Sequence, residues 1–189
     1  MSRGMSKLSL GLVKNLVNVG QVPYSNLLEG VVPSPTFPES TGIEPSGVSQ
    51  DGLTVVGNIY NVSTGNPEGF ILNVASGDTT VLHQQFPVGT DAVVVSGITK
   101  NGQVVYGRYN DTSTNFQYAF SYSNGVTRCF PPPTDVPLVE DSWINYVSET
   151  GIMMFAEYYE DDNGDDVSFL IVNGVADYTM SQFPPGTDS

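Results

Sequence analysis

Short runs of β-branched and aromatic residues alternate with polar, glycine-containing turns along most of the chain. The run 53–60 reads LTVVGNIY, which favours a strand. Asp51-Gly52, directly before it, favours a tight hairpin turn, because glycine and its polar neighbour reach a positive φ at low cost. This alternation predicts four short strands at the start of the body, at 47–49, 53–60, 70–74 and 79–82.

The same pattern recurs at a spacing of about 49 residues, which predicts three repeats. Three sets of markers keep one register: Gly52, Gly102 and Gly151; Phe70, Phe120 and Phe169; Gly77, Gly125 and Gly174. The dipeptide Phe-Pro stands at the start of each unit, at residues 37, 86 and 130, and occurs again at 183. Three full repeats therefore run from about residue 37, and residues 183–189 have the opening sequence of a fourth.

The repeats resemble a known family at their turns and second strands. Residues 48–57 read VSQDGLTVVG, residues 101–105 read NGQVV, and residues 119–122 read AFSY. This pattern is similar to the HAF-type extracellular repeat, in which an Asn-Gly or Asp-Gly turn precedes a Val-Val-Gly strand and an Ala-Phe-x-Trp strand. The third repeat departs from it at Ala156, which replaces the strand-ending glycine. The resemblance covers residues 37–189 and implies four-stranded propeller blades that carry no catalytic residues.

The expected fold is therefore all-β, with three four-stranded, blade-like repeats behind an extended N-terminal arm. Three blades are fewer than the four to eight of a closed propeller. Either oligomerisation completes the ring, or a partner caps an open stack. The alternative architecture is a closed pseudo-three-fold fold of the trefoil or prism type.

Charge divides the 189 residues into a basic arm and an acidic body. The net charge is −14, yet residues 1–28 carry +3 and no acid, while residues 29–189 carry −17. Prolines separate the two parts, which predicts an arm at 1–36 and a three-repeat domain at 37–189. An acidic body repels phosphate backbones, so we expect no nucleic-acid partner. No run approaches the roughly 20 apolar residues of a membrane span, and the N-terminus lacks a signal-peptide pattern, so we expect no membrane span and no signal peptide.

The arm combines cations with apolar residues at mostly helical spacing, which suits docking on an acidic, partly apolar surface of another subunit. The predicted docking residues are Leu8, Leu12, Val13, Leu16, Val17 and, in the proline-rich stretch that follows, Tyr24. The alternative is that this segment packs on its own domain.

The sequence contains few residues that are candidates for catalysis or metal binding. His83 is the one histidine and lies in no nucleophile motif, and Cys129 is the one cysteine, expected as a buried structural thiol. The acidic run 160–166 alternates oxygen ligands as a calcium loop does, but it lacks the glycine and the closing glutamate of an EF-hand. A solvated hairpin tip is the simpler interpretation. We therefore predict no catalytic residue, no metal site and no cofactor.

Tyrosines recur where the second strand of each repeat meets its polar loop. A sugar-binding or protein-binding rim and packing between blades are the two interpretations, and packing is favoured. The rim would consist of Tyr60, Tyr109, Tyr158 and Tyr159.

These features predict a non-enzymatic structural or binding protein that assembles in multiple copies. The favoured setting is a bacteriophage virion, as a head-decoration or tail-associated component anchored by its arm to other subunits. The alternative is a bacterial surface or secreted repeat adhesin that binds a surface glycan. A hydrolase with an acidic dyad is a third class, but no spacing in the sequence identifies such a pair.

Overall fold

The computed structural model describes residue 37 and residues 40–131, 139–160 and 165–178. These residues form twelve β-strands and a single 3-10 helical turn at His83–Gln85, so the all-β prediction is confirmed. In chain order the strands are β1 (Ser40–Val48), β2 (Thr54–Asn61), β3 (Pro67–Asn73), β4 (Thr79–Val81), β5 (Thr90–Ile98), β6 (Val105–Asp111), β7 (Phe116–Ser123), β8 (Val126–Phe130), β9 (Val139–Val147), β10 (Met153–Glu160), β11 (Asp165–Val172) and β12 (Val175–Asp177).

Each repeat forms its own four-stranded antiparallel sheet, in which strands adjacent in sequence pair with each other. Strands β1–β4 form blade 1, β5–β8 form blade 2 and β9–β12 form blade 3. The three sheets do not close into a ring across the described residues. The predicted blade-like repeats are therefore confirmed, and separate meandering sheets replace the closed pseudo-three-fold alternative.

The same hydrogen bond from a backbone amide to a side-chain hydroxyl holds the first hairpin of every blade. In blade 1 the amide of Thr54 donates to Ser49 Oγ at 2.9 Å, and Ser49 Oγ donates to Asp51 Oδ1 at 2.6 Å. Gly52 closes the turn at a φ of 72°, a conformation that favours glycine. The equivalent amide-to-hydroxyl bonds are Val104 to Thr99 and Met153 to Ser148. A serine or threonine three residues before the glycine is thus part of the turn signal.

Strand alternation gives each blade two faces. We call the side towards the preceding repeat the leading face and the side towards the following repeat the trailing face. The leading face centres on one phenylalanine, which is Phe70, Phe120 or Phe169 and is at most 1% exposed. Each of these rings is paired in register with a small residue on the neighbouring strand, which leaves room for it: Gly57, Gly107 and Ala156, respectively.

Two of the three core clusters lie between successive blades, and the third lies on the leading face of blade 1. Val56, on the trailing face of blade 1, packs with Val93 and Phe120 on the leading face of blade 2. Val104 and Ala119, on the trailing face of blade 2, pack in the same way on the leading face of blade 3. Burying two apolar faces against each other is the favourable term that orders the stack.

The phenylalanines of the first two Phe-Pro dipeptides pack on the blade that follows them, whereas Phe130 ends β8 of blade 2. Phe37 meets Phe70 edge-on with ring centroids 4.9 Å apart, and Phe86 meets Phe120 in the same way at 4.8 Å. Leu82, just after β4, is fully buried in the core shared with blade 2. Neighbouring blades are therefore tied together by the segment that joins them.

Candidate functional site

The arm residues predicted for docking lie outside the described residues. They are Leu8, Leu12, Val13, Leu16, Val17 and Tyr24. Docking by the arm stays a prediction, as does the boundary at residue 36.

The tyrosine rim needs correction at two of its members. Tyr109 and Tyr158 are each 5% exposed and pack inside the blades, Tyr109 between the rings of Phe86 and Tyr118. Their equivalent in blade 1 is Ile59, which is also buried, and not Tyr60. Tyr60 lies one residue further along its strand, and a one-residue shift places a side chain on the opposite face of a sheet.

Tyr60 is partly exposed, and the side chain of Tyr159, the fourth tyrosine of the predicted rim, lies outside the part that the structure describes. The Tyr60 hydroxyl donates to Glu44 Oε2 at 2.6 Å, across the β1–β2 pair. The hydrogen bond to Glu44 and, to a smaller extent, burial raise the pKa of the Tyr60 phenol, so it stays neutral in ordinary conditions. By backbone register Tyr60 corresponds to Asn110 and Tyr159, so this position is not tyrosine in every blade.

Close backbone approach and a buried amide clamp join blades 1 and 2. A Cβ on Gly69 would meet Val95 at 2.6 Å, and one on Gly47 would meet Ile98 at 3.2 Å. Asn58 extends across the same junction, where its Oδ1 accepts from Val95 N at 2.8 Å and its Nδ2 donates to Val95 O at 3.2 Å. Two glycines and one asparagine thus fix the distance between these blades.

Between blades 2 and 3, a buried serine makes hydrogen bonds that join the two sheets. Ser142 is 1% exposed, accepts from Ala119 N at 2.8 Å and donates to Phe130 O at 3.1 Å. Beside it, Asp141 Oδ1 accepts from Gln117 N at 2.7 Å. Gly151 touches Val104, and an added Cβ there would come within 2.3 Å of that side chain.

The trailing face of blade 3 is different, because no further sheet follows it within the described residues. Four of its apolar side chains are strongly exposed: Tyr146 by 74%, Val175 by 69%, Met153 by 51% and Val172 by 36%. Trp143, Phe155 and Leu170 lie on the same face by strand register and are half-buried. An exposed apolar surface of this kind is typical of interaction sites.

Comparison of the repeats could have revealed this face from the sequence. Tyr146 occupies the position of Gly47 and Gly97, and Val172 that of Asn73 and Ser123. Large apolar residues at positions that are small or polar in the first two blades are the signal that was missed.

Acidic residues dominate the third repeat. Residues 139–178 hold ten carboxylates and no lysine or arginine. They are Glu140, Asp141, Glu149, Glu157, Glu160, Asp161, Asp162, Asp165, Asp166 and Asp177. Glu157 lies on the trailing face by register and accepts from Asn145 Nδ2, and Glu149 pairs with Lys100 of blade 2. A partner of the opposite charge is electrostatically favoured here.

The candidate chemical residues form no catalytic arrangement among the described residues. His83 lies in the 3-10 turn, where its Nδ1 is buried without a hydrogen-bond partner. Burial raises the pKa of the Cys129 thiol, and a hydrogen bond with Tyr109 opposes that shift less strongly. Cys129 is therefore a protonated, unreactive thiol at neutral pH.

Within the described ranges no three metal-binding side chains cluster, and no helix is long and apolar enough to cross a membrane. The centre of the acidic run, 161–164, lies outside those ranges.

A polar groove of about 470 Å³ opens where the loop ends of blades 1 and 2 meet. Its side-chain bonds include Asn110 Nδ2 to Asp91 Oδ1 at 2.6 Å and Asn66 Nδ2 to Asp91 O at 3.1 Å. Arg108 also lines it. Amides, a carboxylate and a guanidinium in one groove can hydrogen-bond hydroxyl groups.

Comparisons with known proteins bear on shape alone. No protein-family model and no curated protein matches this chain. Among solved structures, a protein assigned as TolB from Agrobacterium tumefaciens matches at 15% identity and a TM-score of 0.48, over 76% of this chain and 51% of its own. TolB from Acinetobacter baumannii matches at 13% identity and a TM-score of 0.44, over 75% of this chain and 33% of its own. The chain thus spans about half and a third of these proteins, and neither assigns it a function.

Proposed function

We propose that this chain is a non-enzymatic structural protein that associates in several copies and with other subunits of a larger assembly. The observation that carries the proposal is the exposed apolar face of blade 3, where Tyr146 and Val175 are 74% and 69% exposed. The first two blades bury the equivalent faces against a following blade. A face of this composition gains stability when another surface covers it.

We infer further that the repeats are of the HAF type. The support is the shared turn, with its hydroxyl three residues before the glycine, and the small residue opposite the central phenylalanine. Blade-like architecture agrees with that family's expected fold, and the finer assignment rests on the motifs in the sequence.

The proposed setting is a bacteriophage virion, as a head-decoration or tail-associated protein. An acidic repeat body behind a basic, apolar arm suits attachment of many copies to one particle. Mass measurement of the native full-length chain, with and without virions, tests this. Multimers, or co-sedimentation with the particle, are expected. A strict monomer that binds no larger assembly contradicts the proposal.

Glycan binding, as in a surface adhesin, is the second candidate, and the polar groove beside Asp91 and Arg108 favours it. A glycan array probed with the full chain and with Arg108→Ala tests this candidate. Binding that Arg108→Ala abolishes supports a carbohydrate site, and absence of binding to any glycan removes it.

A further inference from the structure

We propose that the trailing face of blade 3 receives the basic, apolar segment 7–19 of a second copy of this chain. This inference rests on the proposed assembly function, because it names the surface through which copies associate. Its starting point is the exposed set Tyr146, Met153, Val172 and Val175.

The face differs from the one on which blade 2 sits. At the junction of blades 1 and 2, an added Cβ on Gly69 would clash with Val95 at 2.6 Å, and one on Gly47 would crowd Ile98 at 3.2 Å. Blade 3 has Tyr146 and Ser168 at these two positions. A fourth sheet seated in the same way would overlap the tyrosine ring, because packed interiors have no spare volume for it.

Head-to-tail ring closure between copies is disfavoured at the other end of the stack too. Such closure would need an open leading face on blade 1, yet six apolar side chains at its centre are only 1–4% exposed. They are Phe37, Val55, Ile59, Phe70, Leu72 and Val74. The occupant of the blade 3 face is therefore a segment and not a sheet.

The acidic charge around the blade 3 face favours a basic segment as its partner. Residues 139–178 carry ten acids and no cation, whereas residues 1–28 carry Arg3, Lys7 and Lys14 and no acid. Within that stretch, residues 7–19 supply seven apolar residues to cover the face and two lysines to approach its carboxylates. Hydrophobic burial and charge complementarity then act together.

The position of the face favours a second copy as the source. The chain enters the body at Phe37 in the core of blade 1, and blade 2 stands between that point and the face. Two bodies that each carry −17 repel each other at long range, so the basic arm is the part of one copy that the other attracts.

Lysines placed on the face test the inference in the full-length chain. Met153→Lys combined with Val172→Lys puts positive charge where the basic arm is expected to bind. The matched control is Val62→Lys combined with Val88→Lys, two exposed valines outside blade 3. We expect the face variant to weaken self-association at least about tenfold by native mass measurement across a dilution series, and the control to match the unmodified chain. Equal association of all three proteins overturns the inference.

Disulfide trapping tests the source of the segment. In a Cys129→Ser background, Val172→Cys protein is mixed with Leu12→Cys protein and oxidised. A covalent heterodimer is the expected product. A single chain carrying both cysteines that closes only on itself, whatever the concentration, would instead place the arm on its own body.

The outcomes separate this inference from the proposed function. A multimeric chain that the face variant does not disturb overturns the inference and leaves the assembly function standing. A chain that is monomeric at every concentration overturns the inference, and if it also binds no larger assembly the proposed function fails with it.

Discussion

One phenylalanine lies at the centre of the core of each blade. It is paired in register with a small residue on the neighbouring strand. Phe120 is fully buried, is paired in register with Gly107 and meets Phe86 edge-on. A side chain on Gly107 would contact the Phe120 ring at 3.0 Å, so ring and glycine depend on each other. Phe70 with Gly57 repeats the arrangement in blade 1.

Replacement of Phe120 by alanine should therefore lower the free energy of unfolding by about 3–5 kcal/mol, because it removes a buried ring and leaves a cavity. Urea denaturation of the full chain measures this. Val126→Ala, at a residue 52% exposed, is the control and should change stability by less than about 0.5 kcal/mol. A loss below about 1 kcal/mol for Phe120→Ala would mean that the repeat register misplaces the core.

Asp51 makes the first turn sensitive to acid. The hydrogen bond from the Ser49 hydroxyl, followed by that from the Leu53 amide, lowers the pKa of the Asp51 carboxyl. A lowered folded-state pKa contributes stability that is present above the unfolded value of about 3.9 and is lost as the pH falls through the folded value. The turn of blade 1 should weaken in acid.

Asp51→Asn isolates this contribution, because Asn101 makes the same two bonds in the equivalent turn of blade 2. We expect the loss of stability between about pH 5 and pH 2 to be smaller in the variant than in the unmodified chain. Urea midpoints at several pH values measure the difference. Identical pH profiles would show that the carboxylate adds nothing to the turn.

At the scale of elements, the junctions between blades are specific and not interchangeable. Blade 1 is joined to blade 2 by the paired bonds of Asn58 with the backbone of Val95, and blade 2 to blade 3 by Ser142. Exchanging whole repeats would therefore separate each clamp from its partner groups.

Asn58→Ala should destabilise the chain by about 1–3 kcal/mol for each backbone group of Val95 that it leaves buried without a partner. Thermal and urea unfolding measure the loss. The matched control is Asn66→Ala, which removes an exposed bond to Asp91 across the same pair of blades and should cost less than about 1 kcal/mol. Equal losses for the two variants would contradict the clamp.

Repeat spacing was enough to predict four strands in each unit, because the turn and the central phenylalanine recur in register, but the first strand was predicted at 47–49 and runs over Ser40–Val48. The three sheets lie where Gly52, Gly102 and Gly151 placed their first hairpins. The tyrosines were harder to place, since Tyr60 and Tyr109 differ by one residue within their repeats and strand faces alternate at every residue. The Asn58 clamp was beyond prediction, because its partner lies 37 residues away in another sheet.

For the whole molecule, we expect the body to be equally stable without the arm, but to need the arm for association with other copies and with a larger assembly. Deleting residues 1–36 keeps Phe37, which packs on Phe70. We expect the thermal midpoint of the remaining body, measured in dilute solution, to change little while self-association and binding to a larger assembly are lost. Failure of the truncated chain to fold would mean that the arm belongs to the core.

The uncovered face of blade 3 also bears on how a gene for such a protein can lengthen by duplication. A unit duplicated among the inner repeats would be covered by the units on either side of it, so such a duplication leaves the open surface of blade 3 unchanged. Point substitutions in blade 3 are then what changes the partner of that surface. Tyr146 in the place of Gly47 and Gly97 is a substitution of this kind. Evolution of new partners is thereby concentrated at one end of the array, while the inner units stay constrained by their neighbours.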